Sequence, residues 1–202
     1  MAQETETKIP LGTGDHFRSV LDSCRALYAD GVHLNQRDEY FDTRDENLKK
    51  QDFTVRLRSV NGSLKVALKG PRIYLPGNVY QRIELEFSAA NEEEVREQLK
   101  HQELAATAVI EKQRWVFTGE NAEIAIDQLP FIGAFIEIEG SNPSVINKVL
   151  ESLQLSSKGA IRENYSELLE AKFKEIGLPL RPGLHATFEA ETEWGQRERG
   201  VR

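Results

Sequence analysis

The sequence predicts an α+β fold: an eight-stranded antiparallel β-barrel that forms a tunnel, with helices packed outside. Three observations predict it. Charged and apolar residues alternate with period two in segment after segment, the spacing at which successive side chains leave opposite faces of a strand. Most of these segments are joined by short turns, as antiparallel neighbours can be. The helical stretches between them are amphipathic, so they can cover apolar faces. At eight strands the bore is narrow and suits one small ligand.

The elements follow in order. Residues 2–9 read as a strand that places Glu4, Glu6 and Lys8 on one face, ending at Pro10. Carboxylates side by side on one face repel, so the pattern calls for something to neutralise it. Thr13 caps a helix reaching about Ala29, with Phe17, Val20, Leu21, Cys24, Leu27 and Tyr28 on one side and Gly31 as the stop. Residues 32–41 form a long strand, and the polar stretch 42–52 is a loop or a single helical turn. Strands 53–60 and 63–69 flank Asn61-Gly62, a strong hairpin signal. Residues 72–78 read as a flexible loop. Strand 79–87 sets Arg82, Glu84 and Glu86 against Ile83, Leu85 and Phe87. Asn91 and Glu94 open a helix to about Lys100. Strands 107–118, 122–129 and 134–139 follow. Asn142-Pro143 starts a helix to about Leu153, and a last helix spans 162–176. Residues 1–178 are thus one domain. From Pro179 charges scatter without periodicity, and 179–202 reads as a disordered tail.

Net charge is −7, which argues against a general nucleic-acid binder but permits an anion site if the bases are gathered. The single cysteine, Cys24, allows no intrachain disulfide, as suits a reducing compartment. No apolar run is long enough for a signal peptide or a membrane span, so a cytoplasmic location is expected.

The alternation has two senses. Either apolar faces fill the bore and charges meet water, or charges line the bore and apolar faces pack under the helices. Same-sign clustering favours the second, because acids follow acids and bases follow bases. Carboxylates converging from several strands are hard oxygen ligands for Mg²⁺ or Mn²⁺. Facing guanidinium and ammonium groups hold phosphate oxygens. A cation with a linear polyphosphate satisfies both sets. His16, His33, His101 and His185 are unclustered, and no zinc-type or Ser-His-Asp set is visible.

Glu4-x-Glu6-x-Lys8, Arg56-x-Arg58, Lys69-Gly70, Arg82-x-Glu84-x-Glu86, Lys112-x-Arg114, Asp127, Glu137-x-Glu139 and the later Asn164-Tyr165-Ser166-Glu167-Leu168-Leu169, in this order, resemble the CYTH superfamily of triphosphate tunnel metalloenzymes. The resemblance implies one or two Mg²⁺ or Mn²⁺ ions and a triphosphate-containing substrate. It implies Glu4, Glu6, Glu84, Glu86, Glu137 and Glu139 as metal ligands. Arg56, Arg58, Lys65, Lys69, Arg82, Lys112, Arg114 and Lys158 become phosphate-binding residues. Lys8, Asp127 and Arg114 fall in the catalytic set, with Asp127 orienting the attacking water. Thr54 stands where thiamine-specific members have Trp, and the His-Phe opening of class IV cyclases is missing ahead of Glu4. Three activities follow as alternatives: a metal-dependent triphosphatase, an adenylyl cyclase making cyclic AMP and pyrophosphate, and a non-catalytic polyphosphate-binding module. The expected partner is a small triphosphate, with no nucleic acid or membrane and with room for a homodimer.

Overall fold

The computed structural model describes residues 2–28, 31–180 and 183–200. The elements are β1 (Ala2–Gly12), α1 (Asp15–Leu27), β2 (Val32–Asp42), α2 (Asn47–Lys50), β3 (Thr54–Val60), β4 (Ser63–Lys69), β5 (Ile73–Leu75), β6 (Val79–Ala89), α3 (Glu92–His101), β7 (Ala105–Gly119), β8 (Ala122–Leu129), β9 (Gly133–Gly140), α4 (Pro143–Ser152), α5 (Tyr165–Glu175), β10 (Leu184–Ala186) and α6 (Phe188–Gly200). A 3₁₀ turn lies at Ser157–Gly159.

Eight strands pair antiparallel in the order β1-β9-β8-β7-β2-β3-β4-β6, and β6 pairs back to β1 to close the barrel. The chain's first strand is therefore the closing strand, with Glu4 opposite Arg82 on β6 and Glu6 opposite Glu139 on β9. Asn61 and Gly62 both take positive φ, 48° and 80°, which a tight two-residue hairpin requires. A Cβ at Gly31 would lie 2.3 Å from the Phe117 ring, so glycine is needed where the chain enters β2.

The apolar faces point outward and are buried under helices. Ile9, Ile124, Ile126, Ile136 and Ile138 pack with Val20, Leu21 and Cys24 of α1 and with Ile146, Val149 and Leu150 of α4. Leu169 and Phe173 of α5 join Phe135, Ile110, Leu184 and Ala186. Phe41, Val55, Leu57 and Val66 sit under Val95 and Leu99 of α3. Burying such side chains stabilises by about 1.5–3 kcal/mol each. The outer wall of β4 and β6 is different. Leu68, Ile83, Leu85 and Phe87 are exposed there.

Several expectations need correction. β1 runs through Pro10 to Gly12, with a register shift between Pro10 and Gly12 that accommodates the missing N–H. Helix α1 starts after Gly14, and Thr13 supplies no cap. The expected end of that helix at Ala29 lies outside the described residues. Within 72–78, β5 pairs with β6. The last helix begins at Tyr165, where Asn164 and Glu167 form a capping box. The stretch after Pro179 is not featureless: β10 pairs parallel with Ala108–Ile110 of β7, burying Leu184 and Ala186. In α6, Glu191 accepts a hydrogen bond from the Phe131 N–H at 2.7 Å, and Trp194 lies 6.1 Å from the Phe131 ring.

Candidate active site

The inward faces enclose a bore of about 990 Å³. Glu4, Glu6 and Lys8 enter it from β1, Arg56 and Arg58 from β3, Lys65 and Lys69 from β4, and Arg82, Glu84 and Glu86 from β6. Lys112 and Arg114 come from β7, Glu123 from β8, and Glu137 and Glu139 from β9. Strand order sorts these charges. The acids stand on β6, β1, β9 and β8, which are contiguous around the barrel. Most of the bases stand on β7, β3 and β4, which with β2 make up the other half. One side of the bore is acidic and the opposite side basic; Lys8 and Arg82 are the bases on the acidic side.

The basic half is held by two buried aspartates. Arg58 donates from Nε and a terminal nitrogen to the Asp38 carboxylate at 2.6 and 2.7 Å, and Arg56 approaches the same carboxylate at 3.8 Å. Burial opposes ionisation of Asp38, but Arg58 and Arg56 hold it below the usual carboxylate range. Asp127 is wholly buried and accepts from Arg114 twice at 2.6 Å, from Lys112 at 3.0 Å and from the Tyr165 hydroxyl at 2.9 Å. Burial opposes its ionisation too, and Arg114 and Lys112 outweigh it. Burial, then the charge of Arg114, brings Lys112 down to about 7. The Lys8 ammonium lies 4.0 Å from the centre of the Tyr165 ring and 3.3 Å from Glu137. The buried Nε atoms of Arg56 and Arg82 have no hydrogen-bond partner, so the bore retains unmet donors for an anion.

The acidic half is under strain of its own. Burial raises Glu4 to about 8, with a hydrogen bond to Glu84 as the next cause. Burial also works against ionisation of Glu84, but that hydrogen bond and Lys69 hold it down at about 2. Burial and Glu137 raise Glu6, while burial, Glu6 and Glu123 raise Glu139. Glu137 is the contrary case: Lys8 and Arg114 outweigh burial and keep it low. The Lys69 ammonium stands between Glu4 and Glu84, at 2.8 and 2.9 Å, where it offsets their charge. Among the described residues no three acids are drawn together into a coordination sphere. The donor set is nevertheless all oxygen, with no His or Cys in the bore, which is the chemistry of a hard divalent cation. The residues fit Mg²⁺ or Mn²⁺.

The structure thus brings nearly all the anticipated residues together. Lys65 and Glu86 pair at 2.6 Å and, with Glu139, are exposed. Asp127 shares the inward face of β8 with Glu123 and Ala125, and Lys112, Arg114 and Tyr165 cover its carboxylate. Lys158 is the correction: it sits exposed on the 3₁₀ turn, away from the bore. Asp38, Gln36, Glu123 and Tyr165 were not anticipated. The period-two signal for the first two was present, since Leu34, Gln36, Asp38 and Tyr40 are two apart on β2.

A closed antiparallel barrel with a bore divided by charge sign defines a tunnel-type protein. The family follows: the CYTH domain model matches residues 2–165, and the chain belongs to that family. Members of the family are triphosphatases or adenylyl cyclases. A Methanocaldococcus jannaschii protein provisionally named an adenylate cyclase is 28% identical over 142 residues, 66% of this chain and 80% of the relative. A Pyrococcus horikoshii protein shares the fold with a TM-score of 0.68 at 24% identity, over 82% of this chain and 98% of that one. A Hippeastrum protein, provisionally named an adenylyl cyclase and described as having a dominant triphosphatase activity, superposes with a TM-score of 0.64 at 17% identity, over 88% and 99% of the two chains.

Proposed function

We propose that the protein is a divalent-cation-dependent hydrolase of triphosphate-containing substrates, tripolyphosphate or a nucleoside triphosphate, bound along the bore. The observation that carries this reading is the division of one enclosed bore into an acidic and a basic half. A polyanion alone would satisfy the bases and worsen the repulsion among the carboxylates. A cation alone would do the reverse. A cation–polyphosphate complex satisfies both halves, with the phosphates against β3, β4 and β7.

In this reading Glu4, Glu6, Glu84, Glu86, Glu137 and Glu139 hold Mg²⁺ or Mn²⁺, which neutralises phosphate charge and acts as a Lewis acid when bound. Arg56, Arg58, Lys65, Lys69, Arg82, Lys112 and Arg114 bind phosphoryl oxygens, the arginines with a fork that matches two oxygens at once. Asp38 and Asp127 aim those groups. Water attacks the terminal phosphorus, the bond to the bridging oxygen breaks, and the diphosphate end leaves with the electron pair. Lys112 Nζ, poised near neutrality, can hold or pass the proton, as a group of matched pKa does best. Lys8, braced on Tyr165 and Glu137, stabilises the developing charge. A second copy of the chain is the partner we assign to the bare apolar wall of β4 and β6, since an uncharged patch can pair with itself across a two-fold axis.

The test is orthophosphate release from tripolyphosphate and from ATP with each ion. Glu4→Gln and Glu139→Gln should lower turnover by about 100-fold or more with the fold intact; unchanged rates would remove both from the cation site. The name of the M. jannaschii relative favours one second reading, cyclisation, in which ATP yields pyrophosphate and cyclic AMP. Tight binding with no turnover under any ion would instead leave a non-catalytic polyphosphate-binding module.

A further inference from the structure

Arg72 lies in the connection from β4 to β5, just beyond Lys69 and Gly70. Its side chain is 8% exposed, yet it is not among the residues that line the bore. Each nitrogen of its guanidinium is engaged with the protein. Nε donates to the Asp52 carboxylate at 2.9 Å, and Nη1 donates to the Arg162 carbonyl at 2.7 Å. Nη2 donates to Glu167 at 3.3 Å and lies 2.7 Å from Asp52. The Arg72 backbone N–H donates to Asp52 as well, at 2.7 Å. Arg56 and Arg82 differ, since each keeps a buried Nε without a partner. Those two have a donor in reserve for a ligand. The Arg72 fork is filled by two carboxylates and a carbonyl, an arrangement that fixes direction as well as charge.

What this guanidinium grips is the entry to α5. Glu167 is the capping-box partner of Asn164, and its carboxylate accepts the Asn164 N–H at 2.7 Å. The Arg162 carbonyl comes just before the helix, and Tyr165 stands between the two gripped points in the chain. The same stretch is fastened to β1, where the Ile161 N–H donates to the Lys8 carbonyl at 2.9 Å and Lys8 Nζ donates to the Glu163 carbonyl at 3.3 Å. Tyr165 is 6% exposed. Its hydroxyl reaches Asp127, and its ring lies 4.0 Å from the Lys8 ammonium and 5.2 Å from that of Lys112. An O–H hydrogen bond holds over about 2.5–3.0 Å, so a slip of this turn by roughly an ångström breaks it. Ion pairs open to water add little stability, and Asp52 and Glu167 are 31% and 33% exposed. What the clasp chiefly supplies is geometry.

We infer that Arg72 is a positioning residue for the bore: gripping the first turn of α5 through Glu167 and the Arg162 carbonyl, it holds Tyr165 against Asp127, Lys8 and Lys112. Asp52 in turn sets the guanidinium. This rests on the proposed function, in which Lys8, Lys112 and the Asp127-held Arg114 act on the triphosphate, and adds to it a residue that never touches substrate.

A double-mutant cycle on the full chain separates this role from a merely structural one. It reads kcat/KM for tripolyphosphate with Mg²⁺, well below the Tm of every variant. Tyr165→Phe removes only the hydroxyl and should lower kcat/KM by about fivefold in wild type, as one lost hydrogen bond does. Arg72→Met should lower it by about tenfold or more, having lost bonds to charged partners. In the Arg72→Met background the hydroxyl is already out of place, so Tyr165→Phe should then cost less than about twofold, the non-additivity of coupled residues. Asp52 has φ 59°, a conformation asparagine adopts readily, so Asp52→Asn keeps the fold and should show the same loss of coupling to a smaller degree. Amide hydrogen exchange over residues 161–168 gives a reading free of activity, and it should quicken in Arg72→Met. A Tyr165→Phe effect that is absent, or equal in both backgrounds, or an unchanged exchange rate, would overturn the inference and leave the proposed function standing. A chain that binds tripolyphosphate without turnover loses the proposed hydrolysis, and the same cycle read on Kd then decides the inference. If wild type neither binds nor hydrolyses tripolyphosphate or ATP, both readings fall.

Discussion

Asp38 offers the sharpest test of how the basic half is assembled. It is 1% exposed, and its carboxylate is the buried counter-charge for Arg58 and the nearest one for Arg56. Asp38→Ala leaves two guanidinium groups facing each other with their donors unmet. Removing one partner of a buried pair costs about 3–5 kcal/mol. For a chain of this size each kcal/mol moves Tm by about 2–4 °C, so a drop of roughly 6–20 °C is expected. The lost negative charge can be resupplied. Tripolyphosphate with Mg²⁺ should raise Tm more in Asp38→Ala than in wild type, because the polyanion then replaces a missing counter-ion as well as binding. The linkage sign agrees. Asp38 titrates below an ordinary carboxylate, so its contribution is complete above about pH 4 and is lost as pH falls through the lower folded value. Thermal unfolding at pH 7, with and without ligand, reads the whole effect. A Tm within 2 °C of wild type at this scale, or a ligand shift no larger than wild type's, would refute the idea that Asp38 neutralises the clamp.

Two other outcomes can be checked. Lys112 sits at about 7, well below the ordinary lysine value of about 10.4. Between those two values the unfolded chain binds the extra proton, so this group's share of stability rises with pH. Its charge for holding phosphate falls over the same range, and KM should climb above neutrality. Lys112→Arg should flatten that climb, and superimposable KM–pH profiles from pH 6 to 9 would contradict the assignment. At the C-terminus, deleting α6 removes the Glu191 and Trp194 contacts with Phe131 and should cost about 1–2 kcal/mol. Deleting from Gly183 also removes buried Leu184 and Ala186 and should cost about 2–4 kcal/mol more. Equal Tm values for the two truncations would mean that β10 contributes nothing.

Strand periodicity carried most of the fold, because a two-sided wall forces charged and apolar side chains to alternate, as at Val55–Arg58 of β3 and Arg82–Phe87 of β6. It fails where an element is too short to show a period. β5 and β10 have three residues each, and β10 is fixed by burial against β7 rather than by any local preference. The site was legible wherever same-sign charges stood two apart. Asp38 and Asp127 share the inward faces of β2 and β8 but are covered by the arginines they hold, and that burial is not encoded by spacing. Lys158 has the right charge near the right helix, but its 3₁₀ turn carries it to the surface. Tyr165 reads in sequence as one residue inside the last helix, expected over 162–176. Only the docking of α5 brings its hydroxyl to Asp127 and its ring to Lys8.

Because β1 is the seam of the barrel, joining β6 on one edge and β9 on the other, Glu6 and Lys8 wait for register partners far downstream, Glu139 and Glu137. Such distant contacts form late, after most of the loop entropy has been lost. A chain still being synthesised therefore has its bases and its first two acids but no enclosed bore. The enclosed, charge-divided bore appears only with the final hemming of the sheet, so the proposed capture of a polyphosphate would arrive together with closure.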